Sequence, residues 1–327
     1  MQIRNLAESP SGKPGIDPVL RTLLDAFPFK VNLDDGVEMA RDQARAFIPP
    51  PELLPELRIE ERSIGYGEIA EVPVRIYWPP VEQHDNLPVV VFYHGGGMAV
   101  GGLDSHDAIA RAHAIVAEAI VVSVDYRLAP EHPYPQAIED SWAALRWVGE
   151  HAGELGGDPS RIAVAGDSAG GNISAVMTQL ARDNGGPALA FQLLWYPSTT
   201  GDVTLPSMVE HADAPFMDKV GFEAFMRWYL PPDLDISEPA KLPHTLVPAN
   251  GNLSGLPPAY IGIAEYDVIR DDGARYADLL AAAGVPVELH LSPTLSHAYL
   301  NFAPVVPAAA EATNRGLEAL KAALRRD

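Results

Sequence analysis

Two kinds of hydrophobic pattern take turns along this chain. Short unbroken apolar runs, rich in β-branched residues, recur at 74–78 (VRIYW), 87–94, 119–126, 161–166, 191–197, 259–267 and 287–293. Runs of this length and composition predict strands covered on both faces. Between most of them, apolar residues return every three or four positions, the period of a helix with one buried face. Segment 105–119 reads as such a helix, with Ser105 placed to cap it. Another begins near Gln136, sets Ala137, Ala144, Leu145 and Val148 on one face, and stops at glycine. Segment 271–284 ends at Gly284, and the tail from Pro307 is a final helix. The alternation predicts an α/β fold, a mostly parallel central sheet with helices on both faces.

Two segments break the alternation. Residues 1–55 are helix-like with proline-rich joints such as IPPPELLPEL. Residues 201–245 hold an amphipathic, aromatic- and Met-rich helix in a proline-rich frame, with Phe216, Phe222, Phe225, Met226 and Trp228 along it. Neither supplies a strand. Both are read as parts of a helical cap over a catalytic domain made of 56–200 and 246–327. The aromatic stripe fits either a substrate pocket or the core of the cap itself.

Charge and composition then exclude several partners. The chain has 327 residues, 23 basic against 44 acidic, for a net charge of −21, and no basic cluster. That argues against nucleic acid and anionic membranes. There is no cysteine, so disulfides, thiolate metal sites and cysteine nucleophiles are excluded. The first residues lack the apolar core of a secretory signal, and no 18-residue apolar stretch exists, so the expectation is a cytoplasmic protein without membrane insertion.

The candidate chemistry lies where the run 161–166 meets the next helix. Gly166-Asp167-Ser168-Ala169-Gly170 fits Gly-x-Ser-x-Gly between a strand and a helix. In that setting the serine sits on a tight, strained turn whose flanking positions leave no room for side chains. A serine hydroxyl is a poor nucleophile unless a base takes its proton and donors hold the oxyanion that forms. Gly95, Gly96 and Gly97 follow the strand that ends at His94, and their backbone N–H groups are candidate donors, with the Ala169 N–H beside them. The expected order is serine, acid, histidine. Of the histidines after Ser168, His290 lies in a strand, His211 and His244 fall in the second cap segment, and His297 follows the last strand. His297 is therefore the candidate base. Among Glu265, Asp267, Asp271 and Asp272, Asp267 stands at a strand end and is the candidate acid, fixing the tautomer of His297. Segment 65–70, GYGEIA, looks like a dinucleotide fingerprint, but a strand follows it where a helix is required.

With these residues in hand, the chain resembles the hormone-sensitive-lipase-like carboxylesterases, bacterial family IV of the α/β-hydrolase superfamily. The marks are HGGG at 94–97, DYRLAPEHPYPQAIED at 125–140, GDSAGGN at 166–172, EYDVIRDDG at 265–273 and SHAYLNF at 296–302. The resemblance implies an α/β-hydrolase fold with a two-part cap and a Ser168–His297–Asp267 triad. It also implies oxyanion donors at Gly96, Gly97 and Ala169, and a His94 that orients the glycine loop. The run 126–131 is implied to be structural. The chain departs from the family at His297-Ala298-Tyr299, where the family has His-Gly-Phe; alanine there matters if the position needs positive φ. The expected reaction is hydrolysis of short- to medium-chain acyl esters through an acyl-enzyme, with no metal or organic cofactor and a small-molecule ester as partner. The family also suggests a homodimer. The alternatives are an amidase, lactonase or deacetylase using the same triad, and a non-catalytic ligand-binding homologue.

Overall fold

The structure is a computed structural model that describes residues 14–82 and 85–325. Thirteen residues of the segment read as the first part of the cap, 1–13, therefore lie outside the described residues. Eight strands among the described residues form one sheet: β1 (Arg58–Tyr66), β2 (Ile69–Trp78), β3 (Leu87–Tyr93), β4 (Ile120–Val124), β5 (Gly157–Asp167), β6 (Leu189–Trp195), β7 (Ala259–Tyr266) and β8 (Val287–Ser296). The spatial order is β1-β2-β4-β3-β5-β6-β7-β8. β2 is antiparallel to β1 and to β4, and every later pairing is parallel.

The helices are α1 (Pro18–Ala26), α2 (Gly36–Arg45), α3 (Asp107–Ala117), α4 (Gln136–His151), α5 (Ala169–Asp183), the single turn α6 (Ser207–Glu210), α7 (Lys219–Tyr229), α8 (Arg270–Ala282) and α9 (Pro307–Leu324). Alternate residues of each central strand feed two apolar layers, as the period of two requires. Val89, Val91 and Tyr93 of β3 join Ala144, Leu145 and Val148 of α4 and Ile173, Val176 and Met177 of α5 in one layer. Val90 and Phe92 join Ile109, Ala110 and Ala114 of α3 and Leu317 and Leu320 of α9 in the other. All seven residues of β3 and all five of β4 are buried, which is why their sequences are unbroken apolar runs.

β1 was not legible in that way. Its sequence, RIEERSIGY, is charged and mostly in contact with water. An antiparallel strand at the sheet edge needs only one face covered, so it lacks the signature of the buried strands. The GYGEIA segment is the β1–β2 hairpin, turning at Gly67 with φ +63°. Ser105 does not cap α3; His106 precedes the helix, and the Ser105 hydroxyl donates to the Gly102 carbonyl at 3.1 Å.

Residues 14–55 and 201–245 supply no strand and meet each other. Lys30 Nζ pairs with Asp218 Oδ2 at 2.7 Å, while Asp218 Oδ1 accepts the Gly221 amide at 2.8 Å and so caps α7. Phe29 stacks on Phe216 with ring centroids 4.8 Å apart. No helix among the described residues is long and apolar enough to cross a membrane.

Candidate active site

Parallel strands end on the same edge of the sheet, and loops leaving that edge converge. The register places Tyr93 of β3 beside Gly166 of β5, and Tyr266 of β7 beside Ser296 of β8. Ser168, Asp267 and His297, each the first residue past a strand end, are thereby drawn from 129 and 30 residues apart in sequence into hydrogen-bond contact. His297 Nε2 lies 2.9 Å from Ser168 Oγ, and His297 Nδ1 lies 2.7 Å from Asp267 Oδ2. Asp267 Oδ1 accepts the Ile269 amide at 2.9 Å, which leaves its other oxygen for the imidazole. Asp267 is fully buried and His297 nearly so. A buried carboxylate beside Nδ1 favours the tautomer with hydrogen on Nδ1, leaving Nε2 to accept from the serine hydroxyl.

Ser168 has φ +54° and ψ −115°, a backbone conformation rarely adopted by a non-glycine residue. The crowding of glycines around it has a steric cause. A Cβ at Gly166 would overlap the Gly170 carbonyl, and one at Gly170 would overlap the Tyr93 carbonyl. At Gly171 it would come within 2.8 Å of the Pro197 side chain. The turn is held from behind by the Ser168 amide, which donates to the Trp195 carbonyl at 2.8 Å.

The glycine loop after β3 packs against this turn. Gly96 and Gly97 have φ +113° and +59°. No acceptor among the described residues takes the amides of Gly96, Gly97 or Ala169. The Gly95 amide, a further candidate donor from the sequence, is instead committed to Asp167 Oδ1 at 2.9 Å. A Cβ at Gly97 would fall into the ring of Phe225, so α7 rests directly on the loop. His94 anchors the loop from below. Its Nδ1 reaches the Gly95 carbonyl at 2.7 Å, and its ring stacks on Tyr126 at 4.2 Å. The Tyr126 hydroxyl donates to the His94 carbonyl at 2.6 Å. Burial, with His106 nearby, pushes His94 down to about 3, so its ring is neutral.

The rest of the run 126–131 is also accounted for. Arg127 holds Asp140 with a forked pair at 2.7 and 2.8 Å. Glu131 receives Arg41 of α2, whose guanidinium also donates to the carbonyls of Ala99 and Ala129. The N-terminal segment is thus clamped to the far side of the glycine loop.

A small pocket with mainly apolar walls, partly open to solvent, lies over Ser168 and His297. Phe216 and Phe225 line it, as the aromatic stripe suggested. Phe222 and Met226 do not: Phe222, one turn earlier along the helix, is buried beside Val268 and Ile269, and Met226 packs against the core. Trp228 is likewise a core residue. Phe29 and Phe47, from the N-terminal segment, complete the apolar wall and were not identified from the sequence. Their rings form an edge-and-stack cluster with Phe216 and Phe302.

Ala298, the point of departure from the family, has φ +60° and ψ +26°. The left-handed region costs a non-glycine residue roughly 1–2 kcal/mol. Ala298→Gly is expected to relieve that strain and raise stability by a few tenths to about 1 kcal/mol, after the greater freedom of glycine in the unfolded chain is subtracted. Urea denaturation measures it; a loss of stability would show that the buried methyl outweighs the strain.

One group of described residues is compact enough to hold a cation, Glu210, His211 and Glu265. The Arg270 guanidinium already sits among them, 2.9 Å from Glu210, 2.8 Å from Glu265 and 3.1 Å from His211.

Comparison with known proteins agrees with this architecture. Residues 90–301 match the model of a family described by the alpha/beta hydrolase fold. Carboxylesterase NlhH of Mycobacterium tuberculosis is 67% identical over 319 residues, covering 98% of this chain and 99% of that protein. Esterase LipI of the same organism is 55% identical, covering 95% and 96%. The solved structure of a bacterial heroin esterase superposes with a TM-score of 0.87 at 33% identity, covering 96% of this chain and 99% of that one. The chain therefore belongs to the α/β-hydrolase-fold family, among the family IV carboxylesterases that its motifs resemble.

Proposed function

We propose that this protein hydrolyses carboxylic esters of short to medium acyl chain length, with Ser168 as nucleophile, His297 as base and Asp267 as the acid that orients it. The observation that carries the reading is the unbroken array Asp267–His297–Ser168, at 2.7 and 2.9 Å, on a strained turn beneath an apolar cavity. His297 Nε2 takes the Ser168 proton as Oγ attacks the ester carbonyl, and the imidazolium is stabilised by Asp267. The oxyanion is received by the N–H groups of Gly96, Gly97 and Ala169, whose loops approach without side chains. The alcohol leaves with the proton from His297, and water repeats the sequence on the acyl-enzyme.

Residues 14–55 and 201–245 act as the two parts of a cap. Their phenylalanines Phe29, Phe47, Phe216 and Phe225 bound the space above Ser168. A wall of this kind suits an acyl group of a few carbons better than a long lipid chain, which supports the preference for short to medium esters.

The test is a panel of p-nitrophenyl esters from acetate to palmitate beside the matching anilides, with peptide mapping after treatment by diethyl p-nitrophenyl phosphate. Turnover peaking at short to medium chains, with the phosphoryl group on Ser168, is expected. Anilide turnover exceeding ester turnover would assign the same array to amide hydrolysis.

A further inference from the structure

One ring of the aromatic wall over Ser168 is carried by strained backbone. Phe216 has φ +71°, a left-handed conformation rare for a residue with a bulky side chain. It is the centre of a three-residue turn, closed by the Met217 amide donating to the Pro215 carbonyl at 3.1 Å. The turn tops a loop whose ends are tied, the Lys219 amide donating to the Ala212 carbonyl at 2.9 Å. Met217 is buried, whereas Phe216 is half-buried and lines the pocket over Ser168. Strain of this kind collects where a side chain is aimed at a ligand.

Two successive residues of the N-terminal segment hold this loop in place. Phe29 stacks on Phe216 with the ring planes inclined by 19°, and Lys30 pairs with Asp218 two residues further on. Edge contacts brace the same ring, from Phe47 at 5.4 Å and from Phe302 at 6.0 Å. Turning the ring out of the pocket breaks one stacked and two edge contacts at once, so its position is fixed by the packing as well as by the turn. A chain attached to a carbonyl at Ser168 runs into the space that these rings bound.

We propose that Phe216 is the specificity-determining residue of the site: its fixed ring is the stop that limits the length of the alkyl chain an ester can place in the pocket. This rests on the Ser168 reading of the site and goes beyond it by assigning the limit to one side chain. One methylene more or less in an apolar pocket changes kcat/KM by about 10–200-fold. A stop held in one position therefore gives a cut-off in chain length, where a yielding wall would give a gradual decline. The alkyl chain comes either from the acyl group or from the alcohol of the ester, and the experiment separates the two.

The experiment measures kcat/KM of the parent, F216G and F216W on two series, p-nitrophenyl esters from butyrate to decanoate and acetate esters from butyl to decyl. Glycine adopts φ +71° freely and removes the ring, while tryptophan keeps the turn and enlarges the ring. In at least one series F216G is expected to raise the ratio of the ten-carbon to the four-carbon substrate by at least about fivefold, and F216W to lower it. The series that responds identifies which chain meets the ring. Each ratio is taken within one preparation, so it does not depend on the fraction of protein folded. A smaller rise for F216G in both series, or an F216W ratio not below that of the parent in the series that responds, overturns the inference. A crystal structure of the parent treated with p-nitrophenyl hexyl hexylphosphonate tests it without any variant. One hexyl chain is expected to end within about 4.5 Å of the Phe216 ring, and both chains running elsewhere overturns the inference. A parent inactive on every ester and unlabelled at Ser168 instead defeats the ester reading, so the two failures are distinguishable.

Discussion

Ser168→Ala is expected to reduce kcat on p-nitrophenyl butyrate by about 10⁵–10⁶, with KM changed by less than about threefold. The size follows from the site. Ser168 Oγ is the atom that His297 Nε2 faces, at 2.9 Å. Without it the base has no proton to take and the acyl group has no oxygen to join. The donors at Gly96, Gly97 and Ala169 survive the change, so about 10³-fold catalysis over water is expected to persist. The fold is expected to survive as well, because the bond lost is the one to His297, while the Ser168 amide keeps the Trp195 carbonyl. Steady-state kinetics with a melting curve on the same preparation checks both parts. More than about 1% residual kcat in a protein free of contaminating esterase would remove Ser168 from its role.

Gly170→Ala is expected to act on the opposite quantity, stability. The added methyl would meet the backbone carbonyl of Tyr93 and lie 2.6 Å from that of His94. Neither can swing aside, since Tyr93 ends β3 in the middle of the sheet and His94 follows it directly. Overpacking against fixed backbone is expected to cost about 3 kcal/mol or more, at the upper end for insertions into a packed core. A shift of roughly 5–10 °C in Tm corresponds to that loss. Gly153→Ala is the control: nothing lies within 4 Å of its added Cβ, and its stability is expected to change by less than about 1 kcal/mol. Equal Tm values for the two variants would show that α5 and β3 separate more easily than their contact implies.

The sequence was informative where chemistry and backbone geometry demand particular residues in a particular order. Strand, Gly-x-Ser-x-Gly and helix could be read because only glycine fits between β5, β3 and α5. Asp267 and His297 could be picked out as the candidate acid and base, and the structure brings them into contact, because both follow strands that end on the same edge. The pocket was less legible for a different reason. An amphipathic stripe tells that a helix has a buried face without telling what it is buried against. Phe225 thus belongs to the cavity while Phe222, three residues earlier on the same helix, belongs to the core. Phe29 and Phe47 lie in a proline-broken stretch with no long periodic run to mark them. β1 was missed because an edge strand in contact with water carries charge.

The contact between Gly97 and the Phe225 ring has a consequence for how such a chain can diversify. On the reading proposed above, the helix that would recognise the acyl group and the peptide unit that would receive its oxyanion share one van der Waals surface. Trading Phe225 for a smaller residue to admit a larger ester leaves a hole directly above that peptide, and trading Gly97 for anything larger lifts the helix. On that reading selectivity and turnover are mechanically geared together, and a transplanted recognition helix must bring its own match for the glycine beneath it.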